Sequence, residues 1–178
     1  VEDLSKPIVV KETGAGIDPE TAKKLEKVGV SAINVAGAGG TSWAAVEYYR
    51  NLKAKNRILS EVSKTFWDWG IPTAFSIYIV SKSVKIPIIG SGGIRTGLDV
   101  AKAIVLGADL AALALPILSA AIKGPKEVKA ILRRIMHELR LAMFLTGSKN
   151  LEELKKVKYF ITGRLKDLIN SWKGDDLE

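Results

Sequence analysis

The sequence predicts an α/β fold with parallel strands, and three observations predict it. Short apolar runs alternate with amphipathic segments four times along the chain. No hairpin signal joins one apolar run to the next, so each pair of strands needs a crossover, which in parallel sheets is right-handed. The residues best suited to hold a ligand fall at the carboxyl ends of the apolar runs.

The first strand is expected over residues 7–12, where Pro7-Ile8-Val9-Val10-Lys11-Glu12 is apolar until its charged end. Such runs suit strands buried on both faces. Asp18-Pro19-Glu20 then supplies an N-cap, a proline at the first helical position and an acidic first turn. Ala22, Leu25 and Val28 form the expected buried stripe, and Gly29 the stop. A second strand is expected over 31–36, leading into Gly37-Ala38-Gly39-Gly40-Thr41-Ser42-Trp43. Residues 44–59 are polar and basic and read as a long loop with a helical turn or two. Residues 60–69 read as a helix with Val62, Phe66 and Trp69 on one face, broken by Gly70-Ile71-Pro72. Over 73–84 the β-branched residues favour strand. The proline before them and the need for a crossover favour helix, which is the reading adopted.

A third strand is expected over 86–90, followed by Gly90-Ser91-Gly92-Gly93-Ile94-Arg95 and a helix capped by Thr96 with Asp99 three residues on. Val100, Ala103 and Ile104 face inward and Gly107 ends that helix. The fourth strand is expected over 109–115, ended by Pro116. Gly124-Pro125 opens the longest helix, with Val128, Ile131, Leu132, Ile135, Leu139 and Ala142 at helical spacing and Gly147 at its close. Residues 150–157 and 161–172 read as two surface helices.

Two architectures fit: an open doubly wound sheet, or part of an eight-stranded barrel. Barrels gather their ligand groups at the carboxyl ends of the strands, where Lys11, the 37–41 turn, the 92–95 turn and Ala114-Leu115 all fall. A (β/α)8 TIM-barrel type is therefore expected. The chain, residues 1–178, would be one domain carrying the last four βα units plus carboxyl-terminal helices.

Composition narrows the function. With 178 residues and 47% hydrophobic content the chain can bury a core. It has no cysteine, which excludes disulfides, thiolate catalysis and thiolate metal sites. No apolar run spans a bilayer and no targeting signal is evident, so no membrane is expected as partner and a cytoplasmic location is. The formal net charge of +8 could attract a polyanion, but the aromatic residues do not interleave with the cations as a stacking platform requires, so no nucleic acid is expected. Val1 is not a methionine and lies close to a strand, suggesting that the polypeptide starts elsewhere.

Gly92 and Gly93 let the backbone lie close to a ligand, and the following helix start and Arg95 add positive charge. A phosphate group is the simplest occupant. His137, the one histidine, falls within the longest helix and away from every strand end. Trp67 and Trp69 suit core or wall, and Lys155-Lys156 a solvated surface. No metal-ligand cluster is evident.

Five blocks resemble the type 2 isopentenyl-diphosphate isomerases: Val10-Lys11-Glu12, Gly37 to Trp43, Trp69 to Thr73, Ser91 to Gly97, and Ala114-Leu115-Pro116. Leu145-Thr146-Gly147-Ser148 and Thr162-Gly163 resemble that family's tail. These are FMN-dependent barrel enzymes of isoprenoid biosynthesis, and the resemblance covers the second half of their barrel. It implies reversible isomerisation of isopentenyl diphosphate to dimethylallyl diphosphate, with FMN used reduced, NADPH as reductant and Mg2+ held by the missing half. It places Lys11 beside the flavin pyrimidine edge and Thr41 at the flavin or its phosphate tail. Gly92, Gly93 and Arg95 match one phosphate clamp, and Ala114 and Leu115 a second. Ala36 stands where many members carry serine and Asn34 where aspartate is usual. No catalytic residue is assigned in this half. The partner expected is the missing amino-terminal half or a second copy. The rival readings are another FMN barrel oxidoreductase and a non-catalytic flavin- or phosphate-binding half-barrel. A 2-hydroxy-acid oxidase would need a histidine near a late strand end.

Overall fold

In a computed structural model the protein is described over residues 5–172; residues 1–4 and 173–178 of the expected domain lie outside the described part. Four short parallel strands, β1 (Val9–Lys11), β2 (Ala32–Asn34), β3 (Ile88–Gly90) and β4 (Leu110–Ala111), pair in sequence order. Helix α1 (Pro19–Lys27) crosses from β1 to β2, α4 (Thr73–Ser81) from β2 to β3, and α5 (Gly97–Val105) from β3 to β4. Parallel strands in unbroken order with a helix in each crossover are the arrangement of consecutive units of an α/β barrel.

The register places Val10, Ile33 and Ile88 on one side of the sheet, and Lys11, Asn34, Ile89 and Leu110 on the other. A side chain on Gly90 would meet Ile77 of α4 and Ala103 of α5, so the first side faces the helices. There Ile33, Ile77, Ile79, Val80, Ile88 and Ile104 form a closed apolar layer. Helix α7 (Pro125–Leu145) packs on α5 through Ile135, while Leu154 of α8 (Leu151–Lys155) is buried in the same core. Trp172, after α9 (Gly163–Ser171), meets Phe75 edge-to-face at 5.8 Å.

Local signals act as their chemistry requires. Asp18 Oδ1 accepts the Thr21 amide at 3.0 Å and caps α1. Thr96 and Asp99 form the expected capping box at α5, and residues 73–81 are helical.

Several expectations need correction. Residues 44–59 are not mainly loop: α2 (Trp43–Lys53) and α3 (Arg57–Thr65) form a helical hairpin, capped by Ser42 and Asn56. Its face with Val62 and Phe66 is exposed, as is Trp69, because the hairpin packs chiefly on itself. Val28 and Leu132 are exposed rather than buried. The fourth strand covers only Leu110–Ala111, and Leu115 opens a short helix, α6 (Leu115–Ala121), with Pro116 in its first turn, where a missing N–H costs nothing. Lys155 is not free in solvent: its Nζ pairs with Asp109 Oδ1 at 2.5 Å, and Asp109 Oδ2 accepts the Ile88 amide. This pair fastens α8 to the sheet.

Candidate functional site: a basic cavity at the carboxyl ends of the strands

The turns leaving all four strands meet around one cavity of about 340 Å³. Lys11, Thr41, Gly92, Gly93, Arg95, Ala114 and Leu115 all line it. So do Thr13, Gly14, Ala36, Ser91 and Ile94. The lining carries two cations, Lys11 and Arg95, and no carboxylate. Neither cation is ion-paired among the described residues: Lys11 Nζ donates to the Glu12 carbonyl at 2.7 Å and Arg95 to the Gly93 carbonyl at 3.1 Å. An uncompensated cation pair over a low-dielectric floor favours an anionic ligand.

Two features of the 91–97 turn differ from expectation. Gly92 and Gly93 have left-handed φ of 107° and 78°, but a Cβ there would first strike the carbonyls of Gly37 and Gly39. Glycine is needed because the β3–α5 turn interlocks with the β2–α2 turn, before any ligand is considered. A Cβ added at Gly40 would come within 2.9 Å of the Gly93 nitrogen, so the contact between the two turns constrains this position as well. The start of α5 is also not open to an anion. Asp99 accepts the amides of Arg95 and Thr96 at 3.1 and 3.0 Å, and Glu138 of α7 accepts that of Gly97 at 2.6 Å. The amides of Gly92, Gly93 and Ile94 have no partner among the described residues and remain available. The donors this turn leaves free are therefore loop amides beside Arg95 rather than the helix start.

Side chains that sequence reading did not single out hold these turns. Thr73 Oγ1 donates to the Gly92 carbonyl at 2.7 Å, tying α4 to the glycine turn. Glu12 Oε2 accepts the amides of Gly14, Ala15 and Gly16, and so orders the loop after Lys11. Partial burial raises the affinity of Glu12 for a proton, yet these backbone donors outweigh it and hold the carboxyl below its ordinary range. Glutamate before a Gly-x-Gly loop was the available signal for Glu12; no local signal marks Thr73, whose partner is 19 residues away. His137 is exposed on α7, and Trp67 and Trp69 line a second, open cleft with Arg164. Among the described residues no three His, Asp or Glu side chains are grouped to hold a metal, and no helix is long and apolar enough to cross a membrane.

Fold and site together define an α/β-barrel unit with a cation-lined cavity at the carboxyl ends of its strands. The sequence model of the FMN-dependent dehydrogenase family matches residues 1–159, and the chain belongs to that family. It is 54% identical over 170 residues to the isopentenyl-diphosphate delta-isomerase of Methanothermobacter thermautotrophicus, covering 96% of this chain and 47% of that one. It is 52% identical to the enzyme of that name from Thermococcus kodakarensis, over 88% of this chain and 41% of that one. The chain thus spans less than half the length of these curated relatives. Among solved structures it superposes on lactate oxidase of Pediococcus acidilactici with a TM-score of 0.62 and 28% identity, covering 85% of this chain and 36% of that one. Mandelate oxidase, at 22% identity and a TM-score of 0.63, shares the fold.

Proposed function

We propose that this chain is the carboxyl-terminal half-barrel of an FMN-dependent isopentenyl-diphosphate isomerase. The observation that carries the reading is the convergence of all seven expected cofactor residues on one cavity with two cations and no carboxylate, the cations unpaired among the described residues. The fit to FMN follows from donor chemistry. The amides of Gly92, Gly93 and Ile94, without partners among the described residues, suit a phosphate together with Arg95, and the Ala114-Leu115 segment, which lines the same cavity, would serve as the second clamp. Lys11 supplies a fixed positive charge across the cavity, suited to an electron-rich reduced ring. Thr41 adds a hydroxyl. Reduced FMN, when bound, supplies the acid–base centre for a redox-neutral shift of a double bond. This chain's part is to bind, orient and charge-stabilise that group.

Isopentenyl diphosphate is the substrate of this reading, NADPH the reductant that primes the flavin, and the cytoplasm its location. Mg2+ would be held by the other half, as would most of the diphosphate. The sheet presents two open edges, and closure by four further strands completes the barrel. The completing strands come from the amino-terminal half, with homo-oligomers forming from whole barrels or, in its absence, from paired copies of this chain. The oxidase alternative is disfavoured by His137, which lies on the exposed side of α7.

The test is to size the purified chain by light scattering and assay isomerisation with FMN, Mg2+ and dithionite, with and without the amino-terminal half. Activity is expected only with both halves, and Lys11→Met should cut turnover more than FMN affinity. A monomer with full activity on its own, or unchanged turnover in Lys11→Met, would overturn the reading.

A further inference from the structure

The floor of the cavity holds a buried polar pair that the phosphate grip does not use. Asn34 ends β2, in register with Lys11 on β1, and Ser91 follows the last residue of β3. They are 7% and 6% exposed, and Ser91 lines the cavity. The Ala36 amide donates to Asn34 Oδ1 at 3.3 Å. A backbone amide can only donate, so the atom it meets is the carboxamide oxygen and not its nitrogen. Ser91 Oγ lies 2.5 Å from the same Oδ1. A carboxamide oxygen can only accept, so the single proton of the Ser91 hydroxyl is committed to it. What Ser91 has left for the cavity is its lone pairs.

We propose that Asn34 is a positioning residue that fixes Ser91 as an acceptor, and that Ser91 takes an O–H or N–H donor of the bound ligand. The floor then has opposite polarity at neighbouring points: Lys11 only donates and Ser91 only accepts. The same Asn34 oxygen steadies Ala36, which holds a left-handed φ of 35° without being glycine, and the Gly37 amide donates to the Ser91 carbonyl at 2.9 Å. The two turns and the polarity of the floor are therefore set together. The inference rests on the reading that the cavity takes FMN, which offers donors of this kind at its ribityl hydroxyls and at its ring N–H.

The experiment titrates the 178-residue chain with FMN and two analogues, following flavin fluorescence. One analogue is methylated at the ring N–H; the other carries a plain pentyl chain in place of ribityl. The wild type should prefer FMN over one analogue by about tenfold, the worth of one well-made hydrogen bond, and the analogue rejected names the donor. Ser91→Ala and Asn34→Leu should lose that preference. Asn34→Asp, which still accepts both bonds, should keep it. If Asn34→Leu does not fold, Ser91→Ala and Asn34→Asp carry the comparison. FMN binding without discrimination in the wild type, or discrimination surviving in Ser91→Ala, would overturn this inference alone. A wild-type chain that takes up no FMN, alone or with the amino-terminal half added, would overturn the cofactor reading and this inference with it.

Discussion

The two faces of the sheet are made by the same strands and meet different surroundings. On the helix side Ile33 and Ile88 are completely enclosed by α4 and α5. On the other side burial falls toward the edges: Ala32 and Asn34 at the centre are covered, Ile89 is half-buried, and Val9 and Leu110 are 50% and 59% exposed. Large apolar side chains left bare on a sheet face mark a surface suited to a complement. The helix side is a finished core, whereas the barrel side is one wall of a core. The cavity sits at the rim between them, where the interlocked turns fix its residues.

The comparison sharpens at the rim first. Gly93→Val should destabilise the chain by on the order of 4 kcal/mol or more, because it combines a left-handed φ with a collision against the Gly39 backbone. Denaturant unfolding would measure this without any flavin present. A variant of normal stability would mean that the interlocked turns are looser than described.

The faces themselves can be set against each other. Ile33→Ala empties a site in the finished core and should cost roughly 3 kcal/mol. Leu110→Ala acts on the open wall and should stay within about 0.5 kcal/mol in this chain alone. The same Leu110→Ala should become clearly costly once the amino-terminal half is bound. Equal effects in the isolated chain would erase the distinction between the faces.

The smallest effect expected is electrostatic. Glu12, Asp99 and Asp109 are each partly buried, which raises their pKa, but hydrogen bonds from amides, from Thr96 and from Lys155 lower it further. A carboxyl with a depressed folded pKa binds its proton less readily folded than unfolded. Its stabilising contribution is therefore complete above the ordinary carboxylate pKa and is lost as pH falls through the depressed one. Thermal melting should decline on that acid side, and Glu12→Gln should flatten part of the decline. An acid limb identical in wild type and variant would remove Glu12 from this account.

Sequence alone determined the order of the four strands and of the helices α1, α4 and α5 that cross between them, because that order lies in local chemistry. Apolar runs made strands, Asp18 and the Thr96–Asp99 pair made helix starts, and positive-φ glycines made stops. It also brought the expected residues to one cavity, because a parallel α/β unit gathers the carboxyl ends of its strands whatever the details. Helix α2 escaped notice because its polar and basic stretch lacks a buried stripe, and the early start of α6 escaped because Leu115-Pro116 reads equally well as a strand end. Only the tertiary structure decided why Gly92 and Gly93 must be glycine, which amides remain free for an anion, and that Asn34 holds the Ser91 proton. Those facts depend on contacts between residues such as Gly39 and Gly93, Gly97 and Glu138, or Asn34 and Ser91, which lie 41 to 57 positions apart in the last two cases. Short-range pattern carries the propensity of a segment, and the partner that a turn meets across the fold is set only when the sheet and its helices close.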